Sequence, residues 1–193
     1  MNEQRAFEAV KKQLKPARYE HTLRVVETAE ELAGKYHARL EKVRLAAILH
    51  DYAKYRPAGE MKEVIRSADW LSDEWCSYGE AILHAPAGAA LVRSELGITD
   101  EDVIRAIVYH TTGRAGMTLI EKIVFLADYI EPGRKFPGIE SVRQAADDSL
   151  DRGCLLALAN TIGFLTSKKQ PVFPDTFHAY NELVKLTMRG LKS

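Results

Sequence analysis

Apolar residues recur at helical spacing along almost the whole chain, and the period-two alternation of β-branched residues that marks a strand is missing. That pattern admits one fold class, all-α, in which each helix buries a stripe against its neighbours. The stripe Tyr19, Leu23, Val26, Ala29 or Glu30, and Ala33 shows it well. Prolines, glycines and capping residues then divide the chain. They predict helices from about Glu3 to Leu14, from Arg18 to Tyr36 with Gly34 interrupting near the end, and from Leu40 to Lys54, closed before Pro57. Short helices and loops follow as far as Gly79, then a helix from Tyr78 to Leu96 with a kink or break at Pro86. Thr99 or Asp100 caps the next, which runs to His110, and another spans Met117 to Ile130. The remainder reads as a long helix from Ser141 to Ser167, interrupted at Gly153, and a last one capped by Asp175 and reaching about Arg189.

A length of 193 residues fits one domain with a sizeable core. Lys plus Arg and Asp plus Glu both number 27, so there is no basic field to hold a nucleic acid polymer or an acidic membrane. Cys76 and Cys154 form no CxxC pair, which excludes a disulfide framework and a thiolate zinc knuckle and leads us to expect a reducing compartment. No apolar run approaches the roughly 18 to 20 residues of a membrane span, and the polar start lacks a signal-peptide core, so the expected localisation is cytoplasmic.

The residues that carry chemistry gather around the adjacent pair His50-Asp51 at the end of an apolar stretch. Neutral imidazoles with a few carboxylates suit iron, manganese or zinc, and a carboxylate beside a histidine can bridge two ions. His21 lies upstream of the pair, and His84, His110 and Asp128 follow it. Most of these fall near predicted helix ends, so they can converge at one end of a bundle, where facing helices build metal sites. Lys54 lies three residues beyond Asp51, over the same helical face, while Arg18 and Arg24 flank His21 and Arg134 follows the helix that carries Asp128. Cations around a metal match a polyphosphate, since guanidinium grips phosphate oxygens in a fork and ammonium acts as a point charge. His37 sits in a polar setting away from this order.

His21, His50-Asp51 and Asp128 in this order resemble the HD superfamily of helical metal-dependent phosphohydrolases. Three stretches bring the chain closer to the bacterial HD-domain hydrolases that split diadenosine tetraphosphate symmetrically into two ADP. They are His50-Asp51-Tyr52-Ala53-Lys54, His110-Thr111-Thr112-Gly113, and Ala127-Asp128-Tyr129-Ile130-Glu131-Pro132-Gly133-Arg134. The resemblance implies an HD core over about 18–134 and C-terminal helices over about 140–190 that complete a nucleotide pocket, all within a single domain, 1–193. It implies one or two divalent ions: a first held by His21, His50, Asp51 and Asp128, and either a second held by His84 and His110 with Asp51 bridging, or, with one ion only, His84 and His110 in direct contact with phosphate. Iron is the expected metal, with manganese or cobalt as alternatives. Catalysis would fall to Asp51, Lys54, His84 and His110, and substrate contacts to Arg18, Arg24, Lys54, His84, His110, Thr111, Asp128 and Arg134. Thr176, Phe177, His178 and Asn181 would meet the nucleotide. The implied ligand is a dinucleoside polyphosphate or an ADP- or GDP-like nucleotide, and the implied assembly a monomer or homodimer. Three other readings compete: a di-iron oxygenase of a small polyol or phosphonate, a cyclic dinucleotide phosphodiesterase, and a noncatalytic helical binding module. The second lacks its Gly-Tyr-Pro stretch here, and the third would require missing ligands.

Overall fold

The computed structural model describes residues 3–190, and among these residues there are ten α-helices and no strand. They are α1 (Glu3–Gln13), α2 (Pro16–Lys35), α3 (Leu40–Leu49), α4 (Ala58–Ser67), α5 (His84–Leu96), α6 (Glu101–Tyr109), α7 (Leu119–Ile130), α8 (Ile139–Asp148), α9 (Leu150–Ser167) and α10 (Pro174–Gly190). Two 3₁₀ turns, Asp73–Ser77 and Glu80–Ile82, lie between α4 and α5. The helices α2, α3, α6 and α7 pack on one another around the core, α5 closes against α6, and α9 joins α7 to α8 and α10. α3 is buried over most of its length, with Val43, Ala46, Ala47, Ile48 and Leu49 wholly inaccessible.

Several boundaries depart from the sequence expectation, each for a local reason. α3 stops at Leu49, short of Lys54, because the His50 ring donates from Nδ1 to the Ala47 carbonyl at 2.7 Å, the acceptor that the Asp51 N–H would use in a continuing helix. The chain then turns by shorter steps, Tyr52 N–H to Leu49, Lys54 N–H to Asp51 and Arg56 N–H to Ala53. α6 ends in the same way, His110 Nδ1 donating to the Ile107 carbonyl at 2.7 Å. The stretch expected from Tyr78 breaks before His84, where α5 begins, so Pro86 falls in the first turn, where its missing N–H costs nothing. The C-terminal stretch breaks at Ser149, which is extended, whereas Gly153 lies inside α9. A Cβ at 153 would stand 2.9 Å from Leu126 and 3.0 Å from the Ala146 backbone, so glycine serves here as a close-packing residue. α2 runs unbroken through Gly34. α10 starts at Pro174, one residue before Asp175, with proline at its first position.

Two further features aim the site. Thr118 and Glu121 form a reciprocal capping box at the start of α7, and Glu121 also takes the Arg114 guanidinium in a fork at 3.0 and 2.9 Å. In α5, the small residues Ala85, Pro86, Ala87, Gly88 and Ala89 are buried, and a Cβ on Gly88 would lie 3.5 Å from the Ala53 methyl. This close approach seats the start of α5 against the turn that carries His50 and Asp51.

Candidate metal centre

Five helices contribute to one cluster. His50 and His110 stand at the ends of α3 and α6, Asp128 in the last turn of α7, His84 at the start of α5 and His21 in the second turn of α2. All but Asp128 are at most 5% exposed. Asp51 is at the centre, with its two carboxylate oxygens facing different partners. Oδ2 lies 3.2 Å from His50 Nε2 and 3.9 Å from His21 Nε2, while Oδ1 lies 3.2 Å from His84 Nε2 and 3.9 Å from His110 Nε2. Asp128 Oδ1 approaches His21 Nε2 at 3.0 Å and His50 Nε2 at 3.9 Å. The cluster thus contains a His21-His50-Asp51 triad and an Asp51-His84-His110 triad that share one carboxylate.

The imidazole tautomers are set from outside the cluster. A carbonyl can only accept, so His50 and His110 each carry a proton on Nδ1 and turn Nε2 inward; burial opposes a second proton on His50, but Asp51 and Asp128 favour it, so a metal at His50 Nε2 would compete with that proton. His21 is held by a buried carboxylate, Glu131, whose Oε1 lies 3.0 Å from Nδ1. The other Glu131 oxygen accepts from Arg24 Nε at 2.5 Å and from the Gly133 amide at 2.6 Å. Glu131 was visible in the Glu131-Pro132-Gly133-Arg134 stretch but received no role from its sequence. Its signal is a carboxylate three residues beyond a metal-ligand candidate on a helix end, and only tertiary contact shows which histidine it serves.

Electrostatics favour a bound cation. Burial alone would raise the Asp51 carboxyl, yet the His50 and His84 rings hold it well below the usual range. Burial likewise opposes Asp128, and His21, His50 and Arg134 hold it low. Burial and the neighbouring His50 and His84 rings push His110 well below an ordinary imidazole, and burial with Lys54 close by lowers His84, so both are neutral as ligation requires. His21 Nε2, His50 Nε2 and Asp51 Oδ1 are buried and make no hydrogen bond of sound geometry. Buried polar atoms are ordinarily satisfied, and unpartnered ligand atoms on both sides of the Asp51 carboxylate, two imidazole nitrogens on the Oδ2 side and Oδ1 itself toward His84 and His110, fit divalent transition metal ions.

The remaining site residues divide into three sets. Lys54 Nζ lies 3.1 Å from His84 Nε2 and 3.8 Å from Asp51 Oδ1, and Arg18 pairs with Asp51. Arg134 clasps Asp128 twice, from Nη2 to Oδ1 at 2.6 Å and from Nε to the main-chain carbonyl at 2.9 Å. Thr111 Oγ1 is 3.1 Å from His110 Nε2. Arg24 pairs through Nε with Glu131 and stays partly exposed. Thr176, Phe177, His178 and Asn181 lie on α10, outside the cluster: Thr176 is buried, Asn181 half-buried, and Phe177 and His178 reach the surface. α10 meets the site through Ala179, which backs Gly113 beside the His110-Thr111-Thr112 turn. His37 stands apart, in left-handed conformation after α2.

A helical bundle whose helix ends converge on buried imidazoles and carboxylates, rimmed by cations, is suited to a metal-dependent enzyme that acts on phosphate groups. The HD domain family model matches residues 18–133, and the chain belongs to that family. It is 51% identical over 184 residues to "Bis(5'-nucleosyl)-tetraphosphatase, symmetrical" of Halalkalibacterium halodurans, covering 95% of this chain and 98% of that one. The protein of the same name from Bacillus subtilis is 48% identical over the same coverage. A solved structure described as a predicted HD superfamily hydrolase involved in NAD metabolism, from Clostridium acetobutylicum, superposes with a TM-score of 0.90 at 39% identity. That match covers 96% of this chain and 98% of the other. The all-α class and the HD architecture expected from the residue order are therefore the observed ones.

Proposed function

We propose that this chain hydrolyses diadenosine tetraphosphate and related dinucleoside polyphosphates symmetrically, giving two nucleoside diphosphates. The observation that carries the proposal is Asp51, with one oxygen toward each of two imidazole groups, in a chain that matches named symmetrical tetraphosphatases over nearly its whole length. His21, His50, Asp51 and Asp128 would hold one divalent ion and Asp51, His84 and His110 a second; iron is favoured by the mixed nitrogen and oxygen donors, with manganese or cobalt as alternatives. When bound, such ions lower the pKa of a water ligand and neutralise phosphoryl charge.

The protein groups do the rest. Lys54, lowered by burial and by the nearby Arg18 and Arg134 charges, places an ammonium beside Asp51 where a bridging phosphate would lie. Arg134 is fixed by two bonds to Asp128, so part of its fork is preorganised for phosphate oxygens on the leaving half. Thr111 and His84 offer further polar atoms at the cluster. One water adds across the central P–O–P bond: its oxygen ends on one ADP, and the other ADP departs with the bridging oxygen. We assign Thr176, Phe177, His178 and Asn181 of α10 to one nucleoside of the substrate, and residues 1–193 to a single domain acting as monomer or homodimer. No helix among the described residues is long and apolar enough to cross a membrane. The free thiols Cys76 and Cys154 support placing the chain in the cytoplasm.

The test is product analysis. Protein loaded with ferrous iron, and separately with manganese or cobalt, should convert diadenosine tetraphosphate to ADP alone. AMP plus ATP, or no turnover with any metal, would refute the proposal. Oxygen uptake by iron-loaded protein without nucleotide hydrolysis would move it to the oxygenase reading.

A further inference from the structure

A symmetric cut needs a place for each nucleoside, and α10 provides only one. The inference that follows rests on the function proposed above and concerns the other half of the substrate. Tyr55 immediately follows Lys54 and is 46% exposed. The cation over its ring is the ammonium of Lys15, 4.8 Å from the centroid. Tyr55 is joined to Lys54, whose Nζ lies 3.1 Å from His84 Nε2, and the Lys15 carbonyl accepts the amide of Arg18, the partner of Asp51, at 2.9 Å, so the Lys15–Tyr55 contact adjoins residues that reach the metal cluster.

Lys15 is exposed, and among the described residues no carboxylate pairs with it. Its backbone is nevertheless rigid: it is the residue before α2, extended at φ −67° and ψ 152°, with Pro16 locking the first helical position. A fixed, unneutralised ammonium resting on an accessible aromatic face is poised for exchange, because the contact is worth only about 0.5–1 kcal/mol at exposed sites. Arg134, Lys54, Arg18 and Lys15 also form a series of cations. Arg18 and Lys54 both pair with Asp51 and Arg134 pairs with Asp128, and Lys15 extends the series outward to Tyr55. α10 packs on α9, whereas Lys15 precedes α2 and Tyr55 lies in the turn after α3, so the two places are built from different elements.

We propose that Lys15 and Tyr55 form the second nucleoside seat. The base of the second half replaces the ammonium on the Tyr55 face, and the freed ammonium turns to a phosphate of that same half. Stacking of this kind tolerates any base, so the seat selects a dinucleotide over a mononucleoside polyphosphate without reading base identity.

The experiment compares KM and kcat for diadenosine tetraphosphate with Ki for adenosine 5'-tetraphosphate as competing ligand, in wild type, Tyr55→Ala, Tyr55→Phe and Lys15→Ala. The preference for the dinucleotide, Ki over KM, should fall about tenfold in Tyr55→Ala, the size of one lost stacking contact. Tyr55→Phe should keep it, and Lys15→Ala should lower it by a smaller factor. Lys15→Ala, at an exposed position, serves as the independent test if Tyr55→Ala fails to fold. An unchanged ratio in a folded Tyr55→Ala or Lys15→Ala, with active wild type, overturns the seat alone. A wild type that forms no ADP overturns the seat together with the activity it serves.

Discussion

Replacing Glu131 by Gln should weaken metal binding at a residue that touches no metal. The Glu131 carboxylate is 1% exposed and accepts from three donors: His21 Nδ1–H on one oxygen, and Arg24 Nε–H and the Gly133 amide on the other. A glutamine keeps the shape but has one acceptor oxygen and adds two donors of its own. The oxygen satisfies more partners by facing Arg24 and Gly133, which turns the NH₂ toward His21. His21 must then accept at Nδ1 and carry its proton on Nε2, the atom now bare toward Asp51 and Asp128. A protonated Nε2 cannot ligate. Loss of such an outer partner typically costs about 10- to 100-fold in metal affinity, equivalent to about 1.4–2.7 kcal/mol. Chelator-competition titration and metal content of purified Glu131→Gln would measure it, with far-ultraviolet circular dichroism confirming the helical fold. Wild-type affinity in a folded Glu131→Gln would show that the His21 tautomer is not set by Glu131.

Three other outcomes are expected. Asp51→Ala removes the carboxylate whose two oxygens face the two imidazole groups and should lower kcat about a thousandfold or more, and substantial turnover in a metal-loaded variant would refute the shared-ligand geometry. Gly153→Ala gains about 1 kcal/mol of helix propensity, yet its methyl would stand 2.9 Å from Leu126 and 3.0 Å from the Ala146 backbone, so overpacking of about 1–3 kcal/mol should win and lower Tm; a higher Tm would show that the helices separate freely. In metal-free protein, Asp51, Asp128 and Glu131 are held below their ordinary values despite burial, so their stabilisation is full above the unfolded carboxylate range near pH 4 and is lost as pH falls from there toward their lower folded values; the urea midpoint should drop from about pH 5 to below about pH 3, and a flat midpoint over that range would contradict this.

Much of this protein is legible in its residues taken in order. Helical periodicity excludes strands because burial of one stripe requires a 3.6-residue repeat, and the order His21, His50-Asp51, His84, His110, Asp128 marks helix ends because donors projecting from facing helices must meet at one level. Local signals were less sufficient for boundaries: α3 ends at Leu49 through a bond from His50 to its own helix, and the break before α9 falls at the extended Ser149, while Gly153 sits inside α9 against Leu126 and Ala146. Only the folded chain decides which atom of each ligand faces which partner. Arg24 flanks His21 in sequence just as Arg18 does, yet Arg18 reaches Asp51 and Arg24 reaches Glu131, more than a hundred residues away. Glu131 itself reads as an ordinary acid at a helix end until α2 and α7 pack together. The sequence alone determines what kinds of donor are present and on which helices, since residue type and periodicity are local properties. Tautomer, shared oxygen and unpaired cation are set by contacts across long separations, which exist only once the helices have docked.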